Sequence, residues 1–139
     1  MKKIVIVGAL GYLGTELCKI YSGESWFNKI VALDSRFVSE RVNQFKDWNI
    51  EFFQGQILEV DFLKKHLKDA DVVHHLAGVT DVAYVKKESS SELDEKIRAT
   101  AIDGTNNILG LIPEKCKIIF PSTHVIFEGF KETKVDIDE

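Results

Sequence analysis

One junction constrains this chain more than any other stretch. Ile4, Val5, Ile6 and Val7 are consecutive β-branched residues, and they run straight into glycines at positions 8, 11 and 14 before a helical pattern begins. β-Branched side chains crowd a helix and suit a pleated strand. A run with no polar alternation suits a strand covered on both faces, as in a parallel sheet. Gly14 would let the next helix pack closely on that strand. The helix start, with its free N–H groups and positive dipole end, favours a pyrophosphate. The spacing is G8-x-x-G11-x-x-G14 rather than G-x-G-x-x-G, and a glycine-rich turn with no ligand fits the same letters.

The rest of the chain repeats the strand–helix alternation. Residues 12–22 place Leu13, Leu17 and Ile20 on one helical face, and "KIVALD" (29–34) reads as a second strand. A helical pattern follows near 38–47, then a strand at 50–55, a short helix at 59–67 and a strand at 71–78. The longest helix is expected over 91–112, where Leu93, Ile97, Ala101, Gly104, Ile108 and Leu111 recur at spacings of three and four. Ser89 and Glu92 could form a capping box at its start, and Pro113 helps end it. "KIIFPS" (117–122) is the fifth strand. The pattern predicts an α/β fold, a Rossmann-type doubly wound parallel sheet of order 3-2-1-4-5. Residues 1–139 form one domain in this reading.

Composition narrows the function classes. At 139 residues the chain has one domain's worth of length, and its net charge of −4 lacks the basic excess of a nucleic-acid or anionic-membrane surface. No apolar stretch approaches a membrane span. The short, glycine-interrupted run at the N-terminus reads as a strand and not a signal peptide. Cys18 and Cys116 stand far apart without metal-ligand spacing, so buried thiols in a cytoplasmic protein are expected, with no metal site.

Asp34 closes the second predicted strand about 20 residues beyond Gly14, where a carboxylate can accept hydrogen bonds from adenosine ribose hydroxyls. It would repel a 2′-phosphate, which favours NAD over NADP. Arg36, two residues on, is a guanidinium able to pair with that phosphate instead.

These residues resemble the extended short-chain dehydrogenase/reductase family, the nucleotide-sugar epimerases and dehydratases. "VGALGYLG" is similar to the family's T-G-x-x-G-x-x-G turn, with Val7 at the usual Thr. "FFQGQILEVDFL", "DVVHHLAGVT", "IDGTNNIL" and "IIFPSTHVIFEG" resemble, in order, its G-D-I-x-D, D-x-V-x-H-L-A-A, V-x-G-T-x-N-L-L and S-S/T-x-x-V-Y-G elements. The resemblance implies a cofactor site formed by Gly8, Leu10, Gly11, Tyr12, Leu13, Gly14, Asp34, Ser35, Arg36, Gln56, Ile57, Leu76, Ala77 and Gly78, with Val79 alongside. Gln56 stands at the family's adenine-accepting Asp, and Ile57 would offer its backbone N–H to the adenine edge. Thr123 matches the hydroxyl that bonds the reacting sugar oxygen, with Ser122 the second choice. Ala101 replaces the usual Asn. His124 stands where the dehydratase branch carries an acid, which disfavours 4,6-dehydration, and Phe127 replaces the usual Tyr.

The family's acid/base pair is Tyr-x-x-x-Lys, with Lys lowering the pKa of a Tyr one helical turn away. Tyr12, Tyr21 and Tyr84 are followed four residues on by Glu16, Ser25 and Glu88, so no such pair exists in this sequence. The resemblance places the pair downstream of the strand-five element, which implies the N-terminal, NAD-binding portion of a longer enzyme. This portion is expected to be inactive alone and prone to self-association or dimerisation, with a nucleotide-sugar substrate for the complete protein. A non-catalytic dinucleotide sensor or scaffold fits the same absence. His74 and His75, adjacent on a strand, should point to opposite faces. His66, beside two lysines, reads as solvated, and a structural role suits His75.

Overall fold

In the computed structural model the described residues are 2–25, 29–78 and 91–121. Among them, five parallel strands form one sheet in the order β3-β2-β1-β4-β5. The strands are β1 (Lys3–Val7), β2 (Lys29–Asp34), β3 (Glu51–Gln54), β4 (Val72–His75) and β5 (Lys117–Ile119). The described helices are α1 (Tyr12–Ser22), α2 (Ser39–Asp47), α3 (Val60–Leu67), α4 (Ser91–Arg98) and α5 (Gly104–Leu111). A π segment, Ala99–Asp103, joins the last two.

Every residue of β1 is buried, because the period of two sends alternate side chains into two separate cores. Ile4 and Ile6 pack with Cys18, Ala32, Val42 and Phe45 beneath α1 and α2. Val5 and Val7 pack with Val31, Leu33, Leu63, Leu67, Val73 and Ile108 beneath α3 and α5. Removing a fully buried aromatic such as Phe45 would cost about 3–5 kcal/mol. Lys3 is buried at the start of β1, with its ammonium on Asp69 and on the His66 carbonyl oxygen (2.7 Å). These contacts tie the strand to the end of α3 and the loop that leads into β4.

Three expectations need correction. The inward face of α1 is Gly14, Leu17, Cys18 and Tyr21, whereas Leu13 and Ile20 are exposed. Close approach sets this rotation. A Cβ at Gly14 would be driven into the Gly8 carbonyl oxygen and would lie 2.7 Å from Ala9 Cα, so Gly14 must face the strand. The long helix is not regular throughout; the π segment shifts its facing, leaving Ala101 and Ile102 exposed while Gly104 and Ile108 are buried. His66 is not solvated but buried between the rings of Phe53 (4.2 Å between centroids) and Phe62 (4.9 Å). The strands β4 and β5 are also shorter than their apolar runs, and the capping pair begins at Ser89, outside the described residues.

Candidate functional site

Register gathers the strand ends along one edge. Val7 lies beside both Leu33 and His75, and Asp34 beside Gln54. From β1 the chain runs outward to β2 and β3 on one side, and later to β4 and β5 on the other. The turn after β1 therefore sits at the point where strand order reverses, the place where open α/β sheets form crevices.

The glycine turn is built by backbone. The Gly8 and Ala9 N–H groups both donate to Leu33 O (2.8 and 3.1 Å), and Gly11 N–H donates to Gly8 O (3.1 Å). Gly8 has φ 85°, in the left-handed region that glycine favours. A Cβ there would lie 2.8 Å from both Ala77 N and Leu76 C, so the turn abuts the chain leaving β4. Thr15 N–H returns to Gly11 O (3.0 Å). The preceding N–H groups of Tyr12, Leu13 and Gly14 thus have no acceptor inside α1. Its first turn carries no acidic side chain, and Gly11 offers no side-chain cap. Among the described residues, a Cβ at Gly11 would meet only Gly8 O (3.2 Å) and Arg36 Nη2 (4.0 Å), and one at Gly78 would meet nothing within 4 Å.

Leu10 has a different place. Its side chain is fully buried, its N–H donates to Asp34 Oδ2 (2.8 Å), and its carbonyl accepts from the Arg41 guanidinium. Leu10 anchors the turn from within. Tyr12 and Leu13 lie on the open side, 83% and 59% exposed. At the end of β2, Arg36 donates to Asp34 Oδ1 through its backbone N–H (3.0 Å) and Nε (3.2 Å). The Ser35 carbonyl accepts from Gln54 Nε2 (3.1 Å). Gln56 is exposed, and its carbonyl accepts from Glu59 N–H (3.0 Å).

The far side of the edge is held by α5. Asn107 Nδ2 donates to Ile57 O (3.1 Å), and Gly104 makes room for the Ile57 side chain, whose Cγ1 would lie 2.6 Å from an added Cβ. Leu76 N–H donates to Val7 O (2.8 Å), carrying the chain past Gly8. The paired histidines point to opposite faces, as the strand period requires. His74 Nε2 meets Tyr21 Oη (2.8 Å) on the α1 side, and His75 Nε2 meets Thr105 Oγ1 (2.8 Å) on the α5 side. Thr105 Oγ1 gives its own proton to Ala101 O (2.6 Å), so it accepts from His75, which is the Nε2–H tautomer. Among the described residues His75 Nδ1, a buried acceptor, has no hydrogen-bond partner. Burial pushes both imidazoles below the usual histidine range.

Sequence reasoning did not assign Arg41, Thr105 or Asn107. The "GTNN" letters held a signal for the last two; nothing marked Arg41. Ser122 and Thr123 lie outside the described residues, as do Val79 and His124. Among the described residues no group of three or more His, Cys, Asp or Glu is placed to hold a metal ion. No helix there is long and apolar enough to cross a membrane.

Residues 5–139 match the 3-beta hydroxysteroid dehydrogenase/isomerase family. The chain belongs to that family. The ordered motifs likewise identify it as an extended short-chain dehydrogenase/reductase. It is 32% identical over 126 residues to a dTDP-D-glucose 4,6-dehydratase of Dictyostelium discoideum, covering 84% of this chain and 26% of that protein. It is 30% identical over 112 residues to uncharacterized protein 052L of Frog virus 3 (isolate Goorha), covering 78% and 29%. A solved UDP-glucose-4-epimerase from Stenotrophomonas maltophila, with bound NAD and formylated UDP-arabinopyranose, superposes with a TM-score of 0.76 at 17% identity. That match covers 97% of this chain and 41% of the epimerase. The chain thus spans less than a third of the curated family relatives it matches.

Proposed function

We propose that this chain binds NAD(H) along the carboxyl edge of its sheet and forms the cofactor-binding part of an oxidoreductase acting on a nucleotide sugar, of epimerase type. One observation carries this reading. The turn after β1 is packed so closely at Gly8 and Gly14 that a Cβ is excluded at both, and it presents the N–H groups of Tyr12, Leu13 and Gly14, which have no i−4 acceptor within α1, at a helix start free of acidic residues. Such a surface suits a pyrophosphate. The NAD held by the similarly folded epimerase and the dehydratase among the relatives support the same reading.

In this proposal Asp34 receives the adenosine ribose, Gln56 and the Ile57 N–H meet the adenine, and residues 76–78 pass beneath the rest of the cofactor. Bound NAD would supply a hydride acceptor. Thr123, with Ser122 as the alternative, would hydrogen-bond the reacting hydroxyl of the substrate. Residues 1–139 act as one NAD(P)-binding unit of a cytoplasmic, self-associating protein whose acid/base pair lies beyond them, so turnover by this stretch alone is not expected. The family name refers to a hydroxysteroid; a steroid and a sugar both present a secondary hydroxyl for oxidation, and the five motifs favour the sugar.

Calorimetric titration with NAD, NADH and NADP, beside circular dichroism of the same sample, tests the reading. Saturable binding with NAD(H) preferred is the expected outcome. A folded chain that ignores all three nucleotides would overturn it. A sensor or scaffold role is the alternative, motivated by Ala101 at the usual Asn. It predicts binding without redox turnover even when the chain is extended to the length of its relatives.

A further inference from the structure

Ile57 is gripped by α5 in two ways. Asn107 Nδ2 donates to the Ile57 carbonyl (3.1 Å), and since a carbonyl only accepts, the amide nitrogen is the atom that faces it. Gly104, three residues earlier and on the same side of α5, is buried and leaves room for the Ile57 side chain, whose Cγ1 would lie 2.6 Å from an added Cβ. The peptide before Ile57 is fixed as well, because the Gln56 carbonyl accepts from Glu59 N–H (3.0 Å) at the start of α3. In a planar trans peptide the N–H points opposite to the carbonyl. The Ile57 N–H is therefore aimed away from the start of α3, and the peptides on both sides of Ile57 are held. Gln56 is different: its side chain is exposed, and its amide carries both a donor and an acceptor that a half-turn exchanges.

We infer that Asn107 is a positioning residue for base recognition: by holding the peptide after Ile57 it fixes the direction of the Ile57 N–H, and that N–H decides which purine the site accepts. The inference rests on the NAD(H) reading above. Adenine offers N1 as an acceptor beside its amino group, whereas hypoxanthine offers an N1–H donor beside a carbonyl oxygen. Gln56 suits either base, because its amide can turn to present oxygen to the amino group or nitrogen to the carbonyl. A backbone N–H cannot change its role. It pairs with adenine N1 and opposes the N1–H of hypoxanthine. Discrimination between the two bases therefore falls on Ile57 and, through it, on Asn107.

The test is calorimetric titration with NAD and with nicotinamide hypoxanthine dinucleotide, using the wild type, Asn107→Leu, Asn107→Asp and Phe45→Leu, beside urea unfolding and circular dichroism of each. The wild type should prefer NAD by about tenfold or more, because the wrong base sets a donor against a donor. Asn107→Leu keeps the size and removes the donor. It should weaken NAD by about three- to tenfold, with less than about a twofold change for the hypoxanthine analogue. Asn107→Asp turns an acceptor toward the Ile57 carbonyl and should act in the same direction, so the test survives a leucine variant that fails to fold. Phe45→Leu weakens the core on the opposite face of the sheet and should lower the urea midpoint without changing the ratio of the two affinities. A wild type with no preference for NAD overturns the inference. An unchanged ratio in the folded Asn107 variants does the same, whether affinity falls for both nucleotides or for neither, and leaves the NAD(H) reading intact. A folded wild type that binds neither nucleotide overturns both.

Discussion

The two sides of the sheet's carboxyl edge are held together by different means. From β1 to β2 the turn is a backbone construction, with Gly8 and Ala9 both donating to Leu33 O and Gly14 admitting α1 against the strand. Where α5 meets this edge the links are side chains: Thr105 on His75 of β4, and Asn107 on the carbonyl of Ile57, just after β3. The first side tolerates no added atom at its close contacts. The second tolerates changes of shape but depends on satisfied polar groups, since an unpaired buried donor costs far more than an ordinary hydrogen bond contributes.

The sharpest way to break this contrast is to add carbon to the turn. Gly14→Val should cost more than about 3 kcal/mol in urea unfolding, because α1 cannot approach β1 without meeting Gly8 O and Ala9 Cα. Gly11→Ala meets only one close atom, Gly8 O at 3.2 Å, and should cost about 1 kcal/mol or less. If the two were equally costly, close packing would not be the property that distinguishes these glycines.

On the other side, Thr105→Val keeps the shape and removes the acceptor for the His75 Nε2–H. It should cost about 1–3 kcal/mol in the same assay. A neutral result would mean that the His75–Thr105 hydrogen bond contributes nothing net to stability.

A smaller effect follows from pH. Burial lowers the pKa of His66, His74 and His75 in the folded chain, and Lys65 and Lys3 lower His66 further. Below about pH 6.5 the unfolded chain binds protons that the folded chain refuses. Stability present above that pH is therefore lost as pH falls through it toward the folded values. Urea midpoints measured from pH 8 to 5 should decline below neutrality, and His75→Gln should decline less steeply. A midpoint that rises on acidification would contradict the assigned burial.

The mildest probe is thiol chemistry. Burial pushes the Cys18 thiol up to about 12, and it raises the half-buried Cys116 as well, with Asp71 adding to that shift. A thiol reagent at pH 8 should therefore label Cys116 first and reach Cys18 only on unfolding. Equal rates would place α1 looser on the sheet than its close contact with β1 implies.

Much of the fold was legible in the residues because it is local. The β-branched run of β1, the glycines after it and the alternation of strands with helices each report a backbone preference over a few residues, and together they leave little besides a parallel sheet of order 3-2-1-4-5. Asp34 at the end of β2 was legible for the same reason, since a fixed count of residues separates it from the turn. The rotation of α1 was not. Hydrophobicity nominated Leu13 and Ile20, but the contact distance at Gly14 decided which face turned inward. His66 was judged by its charged neighbours in sequence, yet two phenylalanines from β3 and α3 enclose it. The π segment gave no periodic signal, because it is an interruption of one.

The candidate site divides along the same line. The amino-acid order by itself determined which residue types reach the carboxyl edge: the glycines, the acid and the guanidinium two residues beyond it. Only the tertiary structure decided what those groups do to one another. It set Leu10 as an anchor in the core, saturated Asp34 with Arg36, and joined Ile57 and His75 to a helix 30 to 50 residues away. Sequence spacing encodes the backbone's local geometry, whereas a lone pair is filled by whichever donor the packed chain brings within reach.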